Sequence, residues 1–389
     1  MNNTVKIKGG TVLSGGVCEK TDVYYSGGKI IAVGGSHPFE CEIDATGLYV
    51  SAGFIDTHLH GGGGADFLDG GKEPIITAAE SHLAHGTTSL LPTTLACSLQ
   101  TLTSFLSDLK EVMENGEARA NIIGAHLEGP YFALSQSGAQ NPDYIKAPEK
   151  EEYTKIIKEY GGIIKKWSFA PELEGSAEFC KALKKAEIIP SIAHTEATFN
   201  DVKEVYNEGV RHFTHLYSSM STITRKNGER ILGVIESAYY FDDVDVEVIA
   251  DGKHLPPELL KIIIKSKTPN NVCLVTDAMR AAGTDLKESF LGRKGEETPC
   301  IIADGIAKLY DRTSFAGSVA TADRLVRTLV KEVGINIADA VKMITETPAR
   351  ILNLNTKGKV AEGYDADIVI FDENVNVKTV IVNGNLRVF

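Results

Sequence analysis

The chain has 389 residues, 43% of them hydrophobic, and a formal net charge of −12, enough apolar material for one large domain and a small one. No apolar run approaches the roughly 18 residues of a membrane span, and the acidic balance argues against nucleic acid, whose phosphates are held chiefly by lysine and arginine; neither partner is expected. The six cysteines, Cys18, Cys41, Cys97, Cys180, Cys273 and Cys300, are scattered without a Cys-x-x-Cys pair, and the polar start MNNTVKIKGG carries no secretory signal, so reduced thiols and a cytoplasmic location are expected.

Residues 1–52 read as short strands punctuated by glycine, in VKIKGGTVLSGG, TDVYYSGGKIIAVGG and CEIDATGLYVSAG. From 53 to 355 the pattern changes to apolar runs separated by amphipathic stretches long enough for helices, the mark of repeated βα units. The runs are GFIDTHLH (53–60), TTSLLPT (87–93), IIGAHLEG (122–129), KWSFAPE (166–172), IIPSIAH (188–194), VRHFTH (210–215), VDVEVIAD (244–251) and NVCLVTD (271–277). Eight such units predict an α/β fold, a (β/α)8 TIM-type barrel. Residues 356–389 return to short strands around an Asn383-Gly384 turn. Neither end has a core of its own, so the two are expected to form one small β-sandwich domain.

In such a barrel the chemistry sits at the carboxyl ends of the strands. The residues ending the eight runs are His60, Thr93, Glu128, Glu172, His194, His215, Asp251 and Asp277, most of them metal-ligand or acid/base types. Strand alternation turns His58 and His60 inward together and Thr57 and Leu59 outward. By itself the pair reads equally as a metal clamp or as two hydrogen-bonded polar residues. A carboxylate and two imidazoles on other strand ends, Glu128, His194 and His215, would suit zinc or a similar divalent ion with a position open for water. Asp277 reads either as a helix N-cap or as the base that takes a proton from activated water. The four glycines Gly61 to Gly64 read as a loop that lets backbone pass close to metal and substrate. Arg225, Lys226 and Arg230 form a basic cluster in an acidic chain, either a solvated loop or an anion site.

The segments GAHLEGPYF (124–132), SIAHTEATF (191–199), THLYSSM (214–220), IADGKHL (249–255), LVTDAM (274–279) and FAGS (315–318), in that order, resemble the amidohydrolase superfamily and, within it, the N-acetylglucosamine-6-phosphate deacetylases. The resemblance covers essentially the whole chain. It implies an amide hydrolase with Glu128, His194 and His215 on the main metal, and with His58 and His60 matching members that hold a second. One or two divalent ions per subunit follow, zinc first, with iron, manganese or cobalt as alternatives. Asp277 becomes general base and acid. Substrate contacts fall on Ala139, Gln140, Ser218, Ser219, Asp251 to His254, Phe315, Ala316 and Gly317, and Arg225 takes the anion, with its neighbours Lys226 and Arg230 as alternatives. The implied partners are a small amino sugar phosphate and a second copy of the chain, from which the phosphate-binding arginine can come.

Two departures stand out. Ser218-Ser219-Met220 replaces the family's Asn-Ala-Met, and TRKNGER (224–230) replaces its His-Arg-Glu-Pro-Gly run. Both bear on the sugar and its phosphate, which leaves the galacto epimer as an alternative substrate. Other amidohydrolase reactions on cyclic amides, or a non-catalytic scaffold, are the remaining readings. Dinuclear members with a carboxylated lysine end the fourth strand differently, and a scaffold would be expected to have lost ligands.

Overall fold

The computed structural model describes residues 3–296, 298–310 and 314–388. Each of the eight apolar runs coincides with one barrel strand, the fourth of which starts two residues before its run: Phe54–Leu59, Thr87–Pro92, Ala125–Glu128, Ile164–Phe169, Ile189–Ile192, His212–Phe213, Asp245–Val248 and Val272–Leu274. Neighbours within the two sheets they form pair in parallel. Single bridges, Thr93 to His126 and Leu59 to Ala278, join the two sheets, so the strands close into a barrel.

The helices between them bury one face on the strands. In Leu99–Asn115 the buried residues Leu102, Phe105, Leu106, Leu109 and Val112 follow the three- and four-residue spacing of one helical stripe. Ser98 caps its start by accepting from the Thr101 N–H, and Gly116 ends it in the left-handed region at φ 61°, where glycine is unstrained. No helix among the described residues is long and apolar enough to cross a membrane.

The strands at both ends of the sequence form one eight-stranded sheet. Tyr49–Ala52 pairs parallel with Val5–Ser14 and antiparallel with Ile368–Phe371. Ile7, Val23, Ile30, Val50, Ile368, Ile370 and Ile381 are buried together against it. Asn383 and Gly384 both have positive φ, 49° and 77°, as a two-residue hairpin turn of type I′ requires. The Gly53 N–H donates to the Asp367 carbonyl, which ties the sheet to the first barrel strand.

Three details differ from the sequence expectation. Most barrel strands stop one to three residues before the polar residue ending the run, because the chain turns there. His194, His215 and Asp277 have φ of 45°, 26° and 49°, a region non-glycine residues rarely enter and which costs about 1–3 kcal/mol each. Backbone bonds hold them there: the Asp277 N–H donates to the His58 carbonyl and the Ser318 N–H to the Asp277 carbonyl. Second, Thr57 does not face outward. Register slips between Asp56 and Leu59, and a slip of this kind breaks the alternation, so Thr57 Oγ1 donates to Glu247 Oε1 inside the barrel at 3.0 Å. Third, the structure adds a hairpin, Thr224–Lys226 with Glu229–Ile231, and a three-stranded sheet, Glu288–Leu291, Thr298–Ala303 and Ile306–Leu309, that the apolar runs did not announce.

Candidate active site

The carboxyl-terminal mouth of the barrel opens on a cavity of about 400 Å³. Of the residues expected at the site, His60, Glu128, Ala139, Gln140, His194, His215, Ser218, Ser219, His254, Asp277, Phe315 and Gly317 line it. His58 lies beneath, fully buried.

Glu128, the last residue of the third strand, is the hub. Its Oε1 lies 2.8 Å from His215 Nε2, 3.3 Å from His194 Nε2 and 3.4 Å from His58 Nε2, and its Oε2 lies 3.4 Å from His60 Nε2. Asp277 Oδ1 is 3.1 Å from His60 Nε2 and 3.5 Å from His58 Nε2. Two groups, His58 with His60 and Asp277, and His58 with Glu128 and His215, have ligand atoms within 4.8 Å of one another. His194 belongs to neither, although its Nε2 faces Glu128.

The outer nitrogens of three rings are spoken for. His194 Nδ1–H donates to the Gln136 carbonyl at 2.7 Å, His60 Nδ1–H to the Thr93 carbonyl at 3.3 Å, and His58 Nδ1 faces Glu247 Oε2 at 3.4 Å. A proton fixed on Nδ1 leaves the Nε2 lone pair for a cation, the usual arrangement around a metal ligand. The field agrees. Burial disfavours a charge on His58, yet the carboxylates of Glu128, Glu247 and Asp277 outweigh it and push its pKa up to about 10. Burial would also raise Glu128, but His58, His194 and His215 hold its carboxyl well below the usual carboxylate range. Clustered imidazoles around two ionised carboxylates fit zinc or a similar divalent ion.

Gln140 is used at both ends: its Oε1 accepts from the Ala96 N–H and its Nε2 donates to Glu128 Oε2, both at 2.7 Å. It orients the hub carboxylate as well as lining the cavity. Asp251 does not line the cavity. Its Oδ1 accepts from the Lys253 and His254 N–H groups, and its Oδ2 faces His254 Nδ1 at 2.8 Å, so it aims His254 instead. Ala316 is fully buried and is absent from the lining. Glu172 accepts from Thr195 Oγ1 and the Glu196 N–H, a loop brace and not a ligand.

Arg225 does not reach the cavity either. It sits with Lys226 and Arg230 on the exposed hairpin, whose turn at Asn227 and Gly228 has φ of 50° and 90°. No lysine or arginine lines the cavity among the described residues.

The glycine loop serves another neighbour than expected. A Cβ at Gly62 would lie 2.7 Å from His82 Nε2, and one at Gly61 2.2 Å from the Ala65 carbonyl oxygen, so the close approach is to the first helix and to the loop's own return. His82 Nε2–H donates to the Gly61 carbonyl at 2.8 Å. Burial lowers the pKa of His82 to about 4 and that of His212 to about 3. The unfolded chain binds those protons near 6.5, the folded chain does not, so stability is expected to fall as pH drops from about 6.5 to about 4, by about 3 kcal/mol for His82 alone. Thermal melts of the protein and of His82→Gln across that window check this: the gap between the two melting temperatures should narrow on acidification, and a constant gap would remove His82 from the account.

Sequence reasoning missed Leu95, Gly138, Leu291 and Ser314 at the cavity and Glu247 below it. The acidic residue inside the apolar run DVEV was the available signal for Glu247.

A closed parallel barrel whose carboxyl-terminal mouth gathers imidazoles around two carboxylates defines a metal-dependent hydrolase of the (β/α)8 class. The chain belongs to the amidohydrolase family, which matches residues 49–387. It is 31% identical over 376 residues to the N-acetylglucosamine-6-phosphate deacetylase of Lysinibacillus sphaericus, covering 95% of this chain and 94% of that one. It is 28% identical over 337 residues to the N-acetylgalactosamine-6-phosphate deacetylase of Escherichia coli O157:H7, covering 86% and 87%. Among solved structures it resembles an aspartate-to-alanine mutant of the N-acetyl-D-glucosamine-6-phosphate deacetylase of Mycobacterium smegmatis in complex with N-acetyl-D-glucosamine-6-phosphate, with a TM-score of 0.89, 28% identity and full coverage of both chains.

Proposed function

We propose that the protein is a cytoplasmic deacetylase that hydrolyses the N-acetyl group of an amino sugar 6-phosphate, N-acetylglucosamine-6-phosphate first, to the free amine and acetate. The observation that carries this reading is the meeting of Asp277, Glu128, His60, His194 and His215 on one cavity of about 400 Å³, a volume suited to a sugar phosphate. A divalent ion held by Glu128, His194 and His215, zinc first, with a second toward His58, His60 and Asp277, would polarise the acetyl carbonyl and activate water.

Asp277 then takes the proton of the attacking water on a carboxylate oxygen. As the carbon–nitrogen bond breaks it gives that proton to the sugar nitrogen, which leaves as the amine while the acyl carbon leaves as acetate. His254, its Nδ1 held by Asp251, turns its other nitrogen to the cavity, and Ser218 and Ser219 offer hydroxyls to the sugar.

The phosphate is assigned to the hairpin. Arg225 and Arg230 stand directly opposite each other across its strands, a like-charge pair that is unfavourable alone and that a phosphate would relieve. Because this hairpin lies outside its own chain's cavity, we assign it to the cavity of a second copy in a homodimer. The galacto epimer is a second reading, favoured by the Escherichia coli relative and by Ser218-Ser219 at the sugar. Acetate release from N-acetylglucosamine-6-phosphate, its galacto epimer and both unphosphorylated sugars tests the assignment. The 6-phosphates are expected to be the better substrates, Arg225→Ala should raise KM for them alone, and turnover of none of the four would overturn the reading.

A further inference from the structure

Glu247 and Lys166 form an ion pair in the barrel interior, where their exposures are 0% and 1%. Barrel interiors are ordinarily filled by branched apolar side chains, and a buried ion pair is a poor source of stability because both charges lose their water. The pair therefore asks for a cause other than packing.

Its geometry supplies one. Glu247 Oε1 is taken by Lys166 Nζ and by Thr57 Oγ1, the latter at 3.0 Å, and it also faces His212 Nε2 at 3.7 Å. That leaves Oε2 toward His58 Nδ1 at 3.4 Å. The His58 ring is fixed further by the edge of His126, centroid to centroid 4.6 Å. With its Nδ1 proton on Glu247, His58 turns Nε2 to His60 Nε2 and Glu128 Oε1 at 3.4 Å each and to Asp277 Oδ1 at 3.5 Å. With His60 and Asp277, His58 forms the ligand group assigned above to the second ion.

Resting on the metal-dependent reading above, we infer that Glu247, clamped by Lys166 and Thr57, is the positioning residue that orients His58, and that this clamp decides whether the chain takes up a second divalent ion. Lys166 has two effects in this arrangement. It occupies Glu247 Oε1 so that Oε2 is left for His58, and its ammonium beneath the site keeps a cation from settling lower in the barrel.

Metal content and affinity test the inference without recourse to turnover. The wild-type protein, stripped and titrated with zinc against a competing chelator, is expected to bind two ions per chain. Glu247→Gln should retain the first at wild-type affinity and bind the second about 10–100-fold more weakly, the usual effect of losing a ligand's outer partner. Two ions at unchanged affinity in Glu247→Gln would overturn the inference, even if the variant melts at a lower temperature, since that outcome describes a merely structural pair. If Glu247→Gln does not fold, long-range proton–nitrogen NMR of the zinc-loaded wild type with labelled histidine decides. His58 is expected to carry its proton on Nδ1 and zinc on Nε2, and zinc on Nδ1 is the overturning result. A wild type that binds one ion sinks the inference while acetate release still tests the deacetylase reading. The converse pattern, two ions with no acetate release, sinks that reading alone.

Discussion

Asp277→Asn is expected to lower kcat for acetate release by about 10²–10⁴-fold, the range a positioned acid/base contributes, while the ion at Glu128 and His215 stays bound. Asp277 stands three residues beyond the last barrel strand, Val272–Leu274, and its backbone is pinned at a φ of 49°, so the substituted amide occupies the same place. Asparagine keeps one oxygen near His60 Nε2, which Asp277 Oδ1 approaches to 3.1 Å, but it cannot take a proton from water or return it to the sugar nitrogen. Burial raises the pKa of Asp277, but His60 and His58 outweigh it and hold the carboxyl below its usual range, so the base is already ionised. The measurement is kcat together with metal content. A variant that keeps its ion and more than a tenth of wild-type kcat would take the base role from Asp277.

Glu128→Gln is expected to be the more damaging change, with metal lost and activity reduced at least ~10³-fold, equivalent to several kcal/mol of transition-state stabilisation. The carboxylate stands within 3.4 Å of the Nε2 atoms of four histidines, His58, His60, His194 and His215. An amide in its place leaves those rings without their anion. One end of that amide would also meet Gln140 Nε2, which donates to Glu128 Oε2 at 2.7 Å. A chelator applied to the wild type should reproduce the loss and added zinc should reverse it. Elemental analysis showing a full metal complement in Glu128→Gln would break the assignment of the hub.

The barrel was legible because its strands are short apolar runs, each broken by a polar residue, and nothing outside a run is needed to recognise it. The same logic exposed Glu128, His194, His215 and Asp277, residues at the ends of different strands that only closure brings together. Thr57 was not legible, since a register slip depends on how Phe54–Leu59 meets its neighbour Thr87–Pro92. The partner of Gly62 was hidden for a similar reason: its close approach to His82 Nε2 depends on how the loop packs against the helix Lys72–Leu83, which a run of glycines does not report. Lys166 and Glu247 are charges inside apolar runs, which a pattern reading discounts although their mutual neutralisation is what allows burial. Arg225 shows the limit from the other side. The Asn227-Gly228 pair could have announced the hairpin, but no local signal says toward which cavity a hairpin projects.

The strand Tyr49–Ala52 waits for a partner, Ile368–Phe371, that is synthesised some three hundred residues later. At roughly 5–20 residues per second on the ribosome, the delay is on the order of tens of seconds. Throughout it Val50 and its neighbours present an open, apolar edge, which is a template for pairing with other nascent chains. Pairing with Ile368–Phe371 covers that edge, so this chain is expected to be more prone to aggregate while it is being made than once it is folded.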